Sequence, residues 1–357
     1  MRGLLVLAFP AFAAAIGCAP DRVTSGEPFR FEIPPLESVP FDLVGNSKVA
    51  FERIGPADKG YEATYIIDAA ARTSRNILDT GLIFGPSMSP DGRLIAFTRY
   101  SNNATLYDVH VAGIDGSNER QVSHFPQQEG PPSWSSDGSK VVIIGAEANT
   151  VFWDVYSQSP IANAGDLVRL SHFAATPGVP IECPIIIDNE SRASVSSQSM
   201  IAFVCMFREV NVLSPTGDLV VAYKASRGDP ANWGSIAAVG WSPDGSRVAF
   251  IETIADQATQ LVSLLSLKAM DSDGNNVTTL ASFHFAAAAK VHTPFGSWIG
   301  PNNSSLCWMP DGSRLVFNVP ESELVGHLWV IRPDGSGLAQ LTSAAGVWDR
   351  SVSCASA

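Results

Sequence analysis

The apolar residues of this chain fall in short runs broken by turn residues, and no useful stretch repeats them at the spacing of an amphipathic helix. Four of the breaks share one pattern: Ser87-Met88-Ser89-Pro90-Asp91-Gly92, Ser133-Trp134-Ser135-Ser136-Asp137-Gly138, Gly240-Trp241-Ser242-Pro243-Asp244-Gly245 and Cys307-Trp308-Met309-Pro310-Asp311-Gly312. Each is followed by a β-branched or aromatic strand signal, at Leu94 to Phe97, Val141 to Ile144, Val248 to Ile251 and Leu315 to Phe317. Proline fixes φ, aspartate bonds its own backbone and glycine accepts a left-handed conformation, so each break predicts a tight reversal between two strands.

A second pair of strands follows most of these turns. Tyr107 to Ala112, Leu261 to Met270 and Leu328 to Arg332 lead into Asp115-Gly116, Asp273-Gly274 and Asp334-Gly335, and then into further short apolar segments. The repeat predicts four-stranded antiparallel meanders, the blades of a propeller. A divergent unit is expected over 178–225, with Pro184 to Ile187 as its first strand and the segment from Asn189 to Gln198 replacing the tight turn.

Lys48 to Phe51 reads as a second strand without a first, and Arg350 to Cys354 as a first strand without a second. Pairing these terminal segments in one blade removes an exposed sheet edge. The expectation is an all-β fold, a six-bladed β-propeller of four-stranded antiparallel blades at 44–80 with 347–357, then 81–127, 128–175, 178–225, 236–285 and 304–343.

These turns resemble the TolB-type repeat over roughly residues 45 to 357, and the six-blade count agrees with that resemblance. The chain departs from the family pattern in two respects: it shows no separate α/β domain ahead of the propeller, and its N-terminus reads as that of a lipoprotein. The resemblance therefore implies a fold and not a role in the family's envelope complex.

Residues 1–17 read as a lipoprotein-type signal peptide, one positive charge followed by an apolar stretch too short for a permanent span. Ala15-Ile16-Gly17-Cys18 resembles a lipobox, which makes Cys18 the expected lipidation site; ordinary cleavage nearby is the alternative. Residues 18–43, rich in Pro, Ser, Glu and Asp, read as a lipidated cysteine and tether ahead of a propeller at 44–357. The expected location is outside the cytoplasm, as a membrane-anchored lipoprotein of the periplasm or cell surface, on the outer membrane.

The 23 basic and 35 acidic residues give a formal net charge of −12, which argues against nucleic acid and anionic membrane surfaces. Cys183, Cys205, Cys307 and Cys354 form an even set with three possible pairings, open between disulfides and buried thiols. Their spacing fits no metal module, and no cofactor is expected. His124, His172 and His284 occupy equivalent rim positions that cannot meet at one ion.

Alternating strands place the tight Asp-Gly turns on one face and the longer connections on the other. Binding residues collect on long connections held by a rigid scaffold. The candidates there are Arg227, Asp229 and Trp233, then His292 and Trp298, then Trp348, Asp349 and Arg350; Trp298 and Trp348 could equally be packing at the channel mouth. Trp134, Trp241 and Trp308 read as packing between blades, and Asp91, Asp137, Asp244 and Asp311 as turn residues.

No nucleophile elbow, zinc helix or phosphate loop is present in the sequence, so no catalytic residue is assigned. The expected function is a non-enzymatic, monomeric binding or scaffold propeller of the cell envelope, docking a protein, peptide or cell-wall glycan on its long-loop face. The alternative is a carbohydrate-acting enzyme, a lyase or hydrolase with its site in the central channel, for which His292 with Asp349 or Glu129 would have to serve.

Overall fold

The computed structural model describes residues 36, 38–55, 62–78, 83–100, 107–123, 130–145, 154–161, 167–172, 192–205, 207–225, 232–256, 261–285, 291–292, 305–322 and 325–357. In chain order the first strands are β1 (Ser47–Ile54), β2 (Glu62–Asp68), β3 (Thr73–Leu78), β4 (Ile83–Met88), β5 (Leu94–Tyr100), β6 (Tyr107–Gly113) and β7 (Arg120–Gln121). Next come β8 (Ser133–Trp134), β9 (Val141–Gly145), β10 (Asp154–Gln158), β11 (Val168–Arg169), β12 (Ser194–Val195), β13 (Ile201–Cys205), β14 (Glu209–Leu213) and β15 (Leu219–Lys224). The rest are β16 (Asn232–Trp241), β17 (Arg247–Asp256), β18 (Leu261–Asp271), β19 (Thr278–His284), β20 (Val291–His292), β21 (Leu306–Trp308), β22 (Leu315–Ser322), β23 (Val325–Ile331), β24 (Ala339–Gln340) and β25 (Trp348–Ser356).

They pair as antiparallel meanders: β4 to β7, β8 to β11, β12 to β15, and β16 to β19 with β20 added beside β18. The last sheet joins β21 to β24 with β25-β1-β2-β3, and the two halves meet at a single parallel pair, Gly326 opposite Trp348. The first strands β25, β4, β8, β12, β16 and β21 touch in that order, and β21 returns to β25. The expected pairing of the terminal segments is present: β1 and β25 run antiparallel from Ser47 opposite Ser356 to Ile54 opposite Trp348.

Core residues lie between successive sheets. Val49, Phe51, Tyr65 and Ile67 pack with Val316, Leu328 and Val330 on one side of the seam. Ala50, Ile66, Ile95, Phe97 and Ala355 pack together on the other. Alternation along β1 feeds both clusters, which is what a period of two does when both faces of a sheet are covered.

The tight turns form as their chemistry requires. Ser89 Oγ donates to Asp91 (2.6 Å) and accepts from the Leu94 amide (2.9 Å), while the Arg93 amide donates to Asp91 (3.1 Å). The same set recurs at Ser135 and Asp137 and at Ser242 and Asp244. Gly92 has φ +65, and an added Cβ would lie 2.4 Å from the Ser356 carbonyl oxygen.

Three sequence expectations change. In the divergent unit Pro184 to Ile187 lies outside the described residues, and the first strand is Ser194–Val195, closed by a four-residue turn and not by a long one. There Ser196 Oγ accepts from the Gln198 and Met200 amides, and Ser199 takes the glycine-like position with φ +61. Second, much of the expected long-connection territory is strand: β16 begins at Asn232, β17 runs to Asp256, β22 runs to Ser322 and β25 begins at Trp348, because pairing continues past the blade core. Third, the end of the expected tether is docked. Phe41–Leu43 forms a 3-10 turn, and Leu36, Val39, Phe41 and Leu43 pack against the cluster containing Val49 and Phe51.

Cys307 and Cys354 form a disulfide between β21 and β25, with Cα atoms 5.6 Å apart. Cys205 is also disulfide-bonded, to a partner outside the described residues.

Candidate functional site

The first strands enclose a cavity of about 300 Å³ on the channel axis. Its wall carries Ser87 and Met88 from β4, Ser133 and Trp134 from β8, Ser194 and Val195 from β12, Gly240 and Trp241 from β16, Leu306 and Trp308 from β21, and Val352 to Ser356. Pro90, Ser136, Ser197, Pro243 and Pro310, all turn residues, also line it, so the cavity lies toward the tight-turn face.

Two of the three repeat tryptophans stitch neighbouring sheets, as their repeat position implies. Trp134 Nε1 donates to the Ser87 carbonyl (2.8 Å) and Trp308 Nε1 to the Gly240 carbonyl (3.1 Å). Serine hydroxyls add to the stitching, with the Met88 amide donating to Ser353 Oγ and the Trp241 amide to Ser194 Oγ, each at 2.9 Å. The third indole differs: Trp241 Nε1 is buried without a hydrogen-bond partner among the described residues.

Arg192, just before β12, is the one ionisable side chain among the described lining residues, since Cys307 and Cys354 are bonded to each other. Its Nη1 donates to the Val352 carbonyl (3.1 Å) and its Nη2 to the Pro86 carbonyl (2.8 Å), 160 and 106 residues away in sequence. Both acceptors stand at β-bulges. The β4 and β5 register shifts between Phe84 and Ser87, where Gly85 has φ +64. The β1 and β25 register shifts between Ala50 and Glu52, where Ser351 has φ +53. A bulge takes carbonyls out of the ladder, and here the freed oxygens grip a guanidinium across the channel. Burial pulls the Arg192 guanidinium down to about 10, against an opposing pull from Glu52. Its side chain keeps some surface because it lines the cavity.

Farther toward the long-connection end, charged groups pair with one another. Arg53 and Asp349 form a two-pronged bond at 2.6 and 2.8 Å, with side chains only 1% and 0% exposed, and Thr342 Oγ1 donates to the same carboxylate. Burial raises the Asp349 carboxyl, opposed by Arg53 and Thr342. Arg350 Nε donates to Glu52 at 2.9 Å, and the Gly85 amide donates to the same carboxylate. The buried His327 ring bridges Glu321 and the Ala344 carbonyl, at 2.8 Å on each side.

Of the sequence candidates, Trp348, Asp349 and Arg350 lie inside strand β25 and not on a connection. Trp348 is buried against Ala255 and Val262. Trp233 and His292 fall in β16 and β20, and their side chains are outside the described set, as are Arg227, Asp229, Trp298 and Glu129 altogether. His124 is likewise outside it, while His172 and His284 are described. No group of three or more His, Cys, Asp or Glu that could hold a metal occurs among the described residues. No helix there is long and apolar enough to cross a membrane. Sequence reading missed Arg192, which carries no motif and whose partners are main-chain carbonyls.

Among solved structures, TolB from Acinetobacter baumannii superposes with a TM-score of 0.62 at 16% identity, covering 87% of this chain and 66% of that one. The fold is an all-β propeller of four-stranded antiparallel blades. A putative TolB from Agrobacterium tumefaciens gives 0.51 at 13% identity, covering 86% of this chain and 98% of that one. Hydrazine synthase from Kuenenia stuttgartiensis gives 0.59 at 10% identity, covering 90% of this chain and 47% of that one. No protein-family model and no curated protein matches the sequence. At such identities the TolB-like likeness speaks for architecture alone, and the chain spans just under two thirds of the Acinetobacter protein.

Proposed function

We propose that this chain is a six-bladed propeller that binds without reacting, a monomeric scaffold of the bacterial cell envelope that docks a protein, peptide or cell-wall component on its long-connection face. The six-blade count is supported by the closed order of the first strands, β25-β4-β8-β12-β16-β21 and back to β25. The observation that carries the binding reading is the mutual pairing of Arg53 with Asp349, Arg350 with Glu52, and His327 with Glu321 and Ala344. A general base must keep a lone pair aimed at substrate, whereas these groups are aimed at each other and stiffen the scaffold.

We assign partner contact to Arg227, Asp229, Trp233, His292 and Trp298, while Trp348, Asp349 and Arg350 stiffen strand β25 through packing and ion pairs. Cys18 anchors the domain through lipid on the periplasmic or outer face of the envelope, with 18–43 as the link.

Crosslinking of the full chain in its own envelope fraction should capture a stoichiometric partner, lost in an Arg227→Ala, Trp298→Ala double variant. Turnover of a cell-wall or acidic glycan that disappears in His292→Ala would overturn the binding reading in favour of a lyase or hydrolase. Cys18→Ser should release the protein from membranes, and detergent-only extraction of that variant would contradict the anchor.

A further inference from the structure

The bonded cysteines of this chain sit in two different settings. Cys205 is 2% exposed, inside the cluster of Ile201, Phe203 and Leu213. Cys307 and Cys354 are half-buried: they pack against the cluster containing Val49 and Phe51, and both also line the axial cavity of about 300 Å³. That cavity lies toward the tight turns, where the exposed Ser136 and Ser197 are part of its wall. No acidic side chain lines it among the described residues, so a thiolate that enters meets no repelling charge there. A disulfide that solute can reach exchanges, whereas one in a core is protected.

The bond is also not what closes the ring. β25 is laddered to β1 from Ser47 opposite Ser356 to Ile54 opposite Trp348. On its other side the Val352 amide donates to Ser305 Oγ at 2.8 Å, beside β21. Elsewhere around the axis neighbouring first strands are joined by hydrogen bonds alone, from Trp134 Nε1 to the Ser87 carbonyl and from Trp308 Nε1 to the Gly240 carbonyl. Cutting the Cys307–Cys354 bond therefore removes a cross-link and leaves the closure in place.

We propose that Cys307 and Cys354 form a thiol–disulfide exchange site for low-molecular-weight thiols that enter the axial cavity. A thiolate attacks one sulfur of the bond, a mixed disulfide forms in the cavity, and the other cysteine leaves as a thiolate that takes a proton from water. A second thiol then attacks the small-molecule sulfur, giving two protein thiols and one small disulfide, so two thiols supply the two electrons. A monothiol can stop at the mixed disulfide; a dithiol closes on itself and carries the reaction through. The site is separate from the long-connection face and does not depend on what docks there.

The test treats the folded full chain with dithiothreitol or with cysteine, quenches with acid, alkylates free thiols and maps the peptides. Dithiothreitol should expose Cys307 and Cys354 at a rate linear in thiolate and insensitive to urea below the unfolding transition. Cysteine should leave a cysteinyl adduct on one of the two. The reduced chain should keep its β-sheet circular dichroism and melt at a lower temperature than the oxidised one. A Ser136→Trp, Ser197→Trp double variant, substituted at two exposed turn positions of the cavity wall, should slow exchange at least about threefold. Labelling of Cys307 and Cys354 only in denaturant, a rate that rises with low urea or saturates with thiol, loss of the sheet signal on reduction, or an unchanged rate in the double variant would overturn the proposal. The rate and urea measurements need no substitution, so they decide the matter even where that variant does not fold.

Discussion

Replacing Asp349 with alanine removes the carboxylate of the two-pronged bond to Arg53, a guanidinium whose side chain is 1% exposed. Breaking a buried pair from one side costs about 3–5 kcal/mol, because the remaining charge cannot return to water without opening the seam between β1 and β25. That is a large fraction of the roughly 5–15 kcal/mol by which domains are stable. For a ring of about 310 residues it corresponds to a fall of roughly 5–8 °C in the melting temperature. The matched control is Asp42→Ala, since the Arg72–Asp42 pair is 64% and 90% exposed and should contribute little. Chemical denaturation of both variants and of Arg53→Met, Asp349→Leu decides the matter. The apolar double variant should recover much of the loss, as replacement of both charges leaves neither uncompensated. A single Asp349→Ala variant within about 1 kcal/mol of the parent would refute the reasoning that this pair holds the seam between β1 and β25.

Gly92→Ala should destabilise by more than the ~1–2 kcal/mol of a left-handed alanine, because its Cβ also meets the Ser356 carbonyl oxygen; Gly312→Ala, with nothing within 4 Å, should show the conformational cost alone in the same melts. Substituting both Cys307 and Cys354 with alanine, which opens a 47-residue separation, should cost about 4 kcal/mol in urea titrations. The Ser135 hydroxyl, with the Ser139 amide and hydroxyl, lowers the Asp137 carboxyl from 3.8 to about 2, so its contribution is present above the ordinary carboxylate range and is lost as pH falls toward 2. Melting temperature measured from pH 5 down to pH 2 should therefore drop, with a smaller drop in Ser135→Ala.

What could be read from sequence was whatever chemistry is local. Asp91, Asp137, Asp244 and Asp311 announce their turns because proline, aspartate and glycine each act on their own backbone. The seam was legible because Val49 and Val352 sit in strand fragments that lack their partners. The first strand of the divergent unit was misplaced because Ser196-Ser197-Gln198-Ser199 makes the same turn with a serine at positive φ, and serine advertises no such conformation. Trp348, Asp349 and Arg350 resembled an exposed binding triplet, since nothing in the segment reveals that Arg53 and Glu52, about 300 positions earlier, neutralise it. Arg192 was silent for a related reason: its grip depends on two bulges in distant strands, and main-chain carbonyls leave no trace in side-chain patterns.

The seam also shapes how the ring is made. β25 bonds to β1 across separations near 300 residues and touches β4 and β21 on either side, so its contacts are among the least local in the molecule. Such pairings form slowly, because a long intervening chain must be organised before they are rewarded. Until β25 docks, β1 has an unpaired edge, an invitation to another copy. The step that finishes the structure is therefore the one during which a nascent population is most prone to misassembly, and dilution or chaperone shielding at that stage should govern yield more than the stability of any single blade.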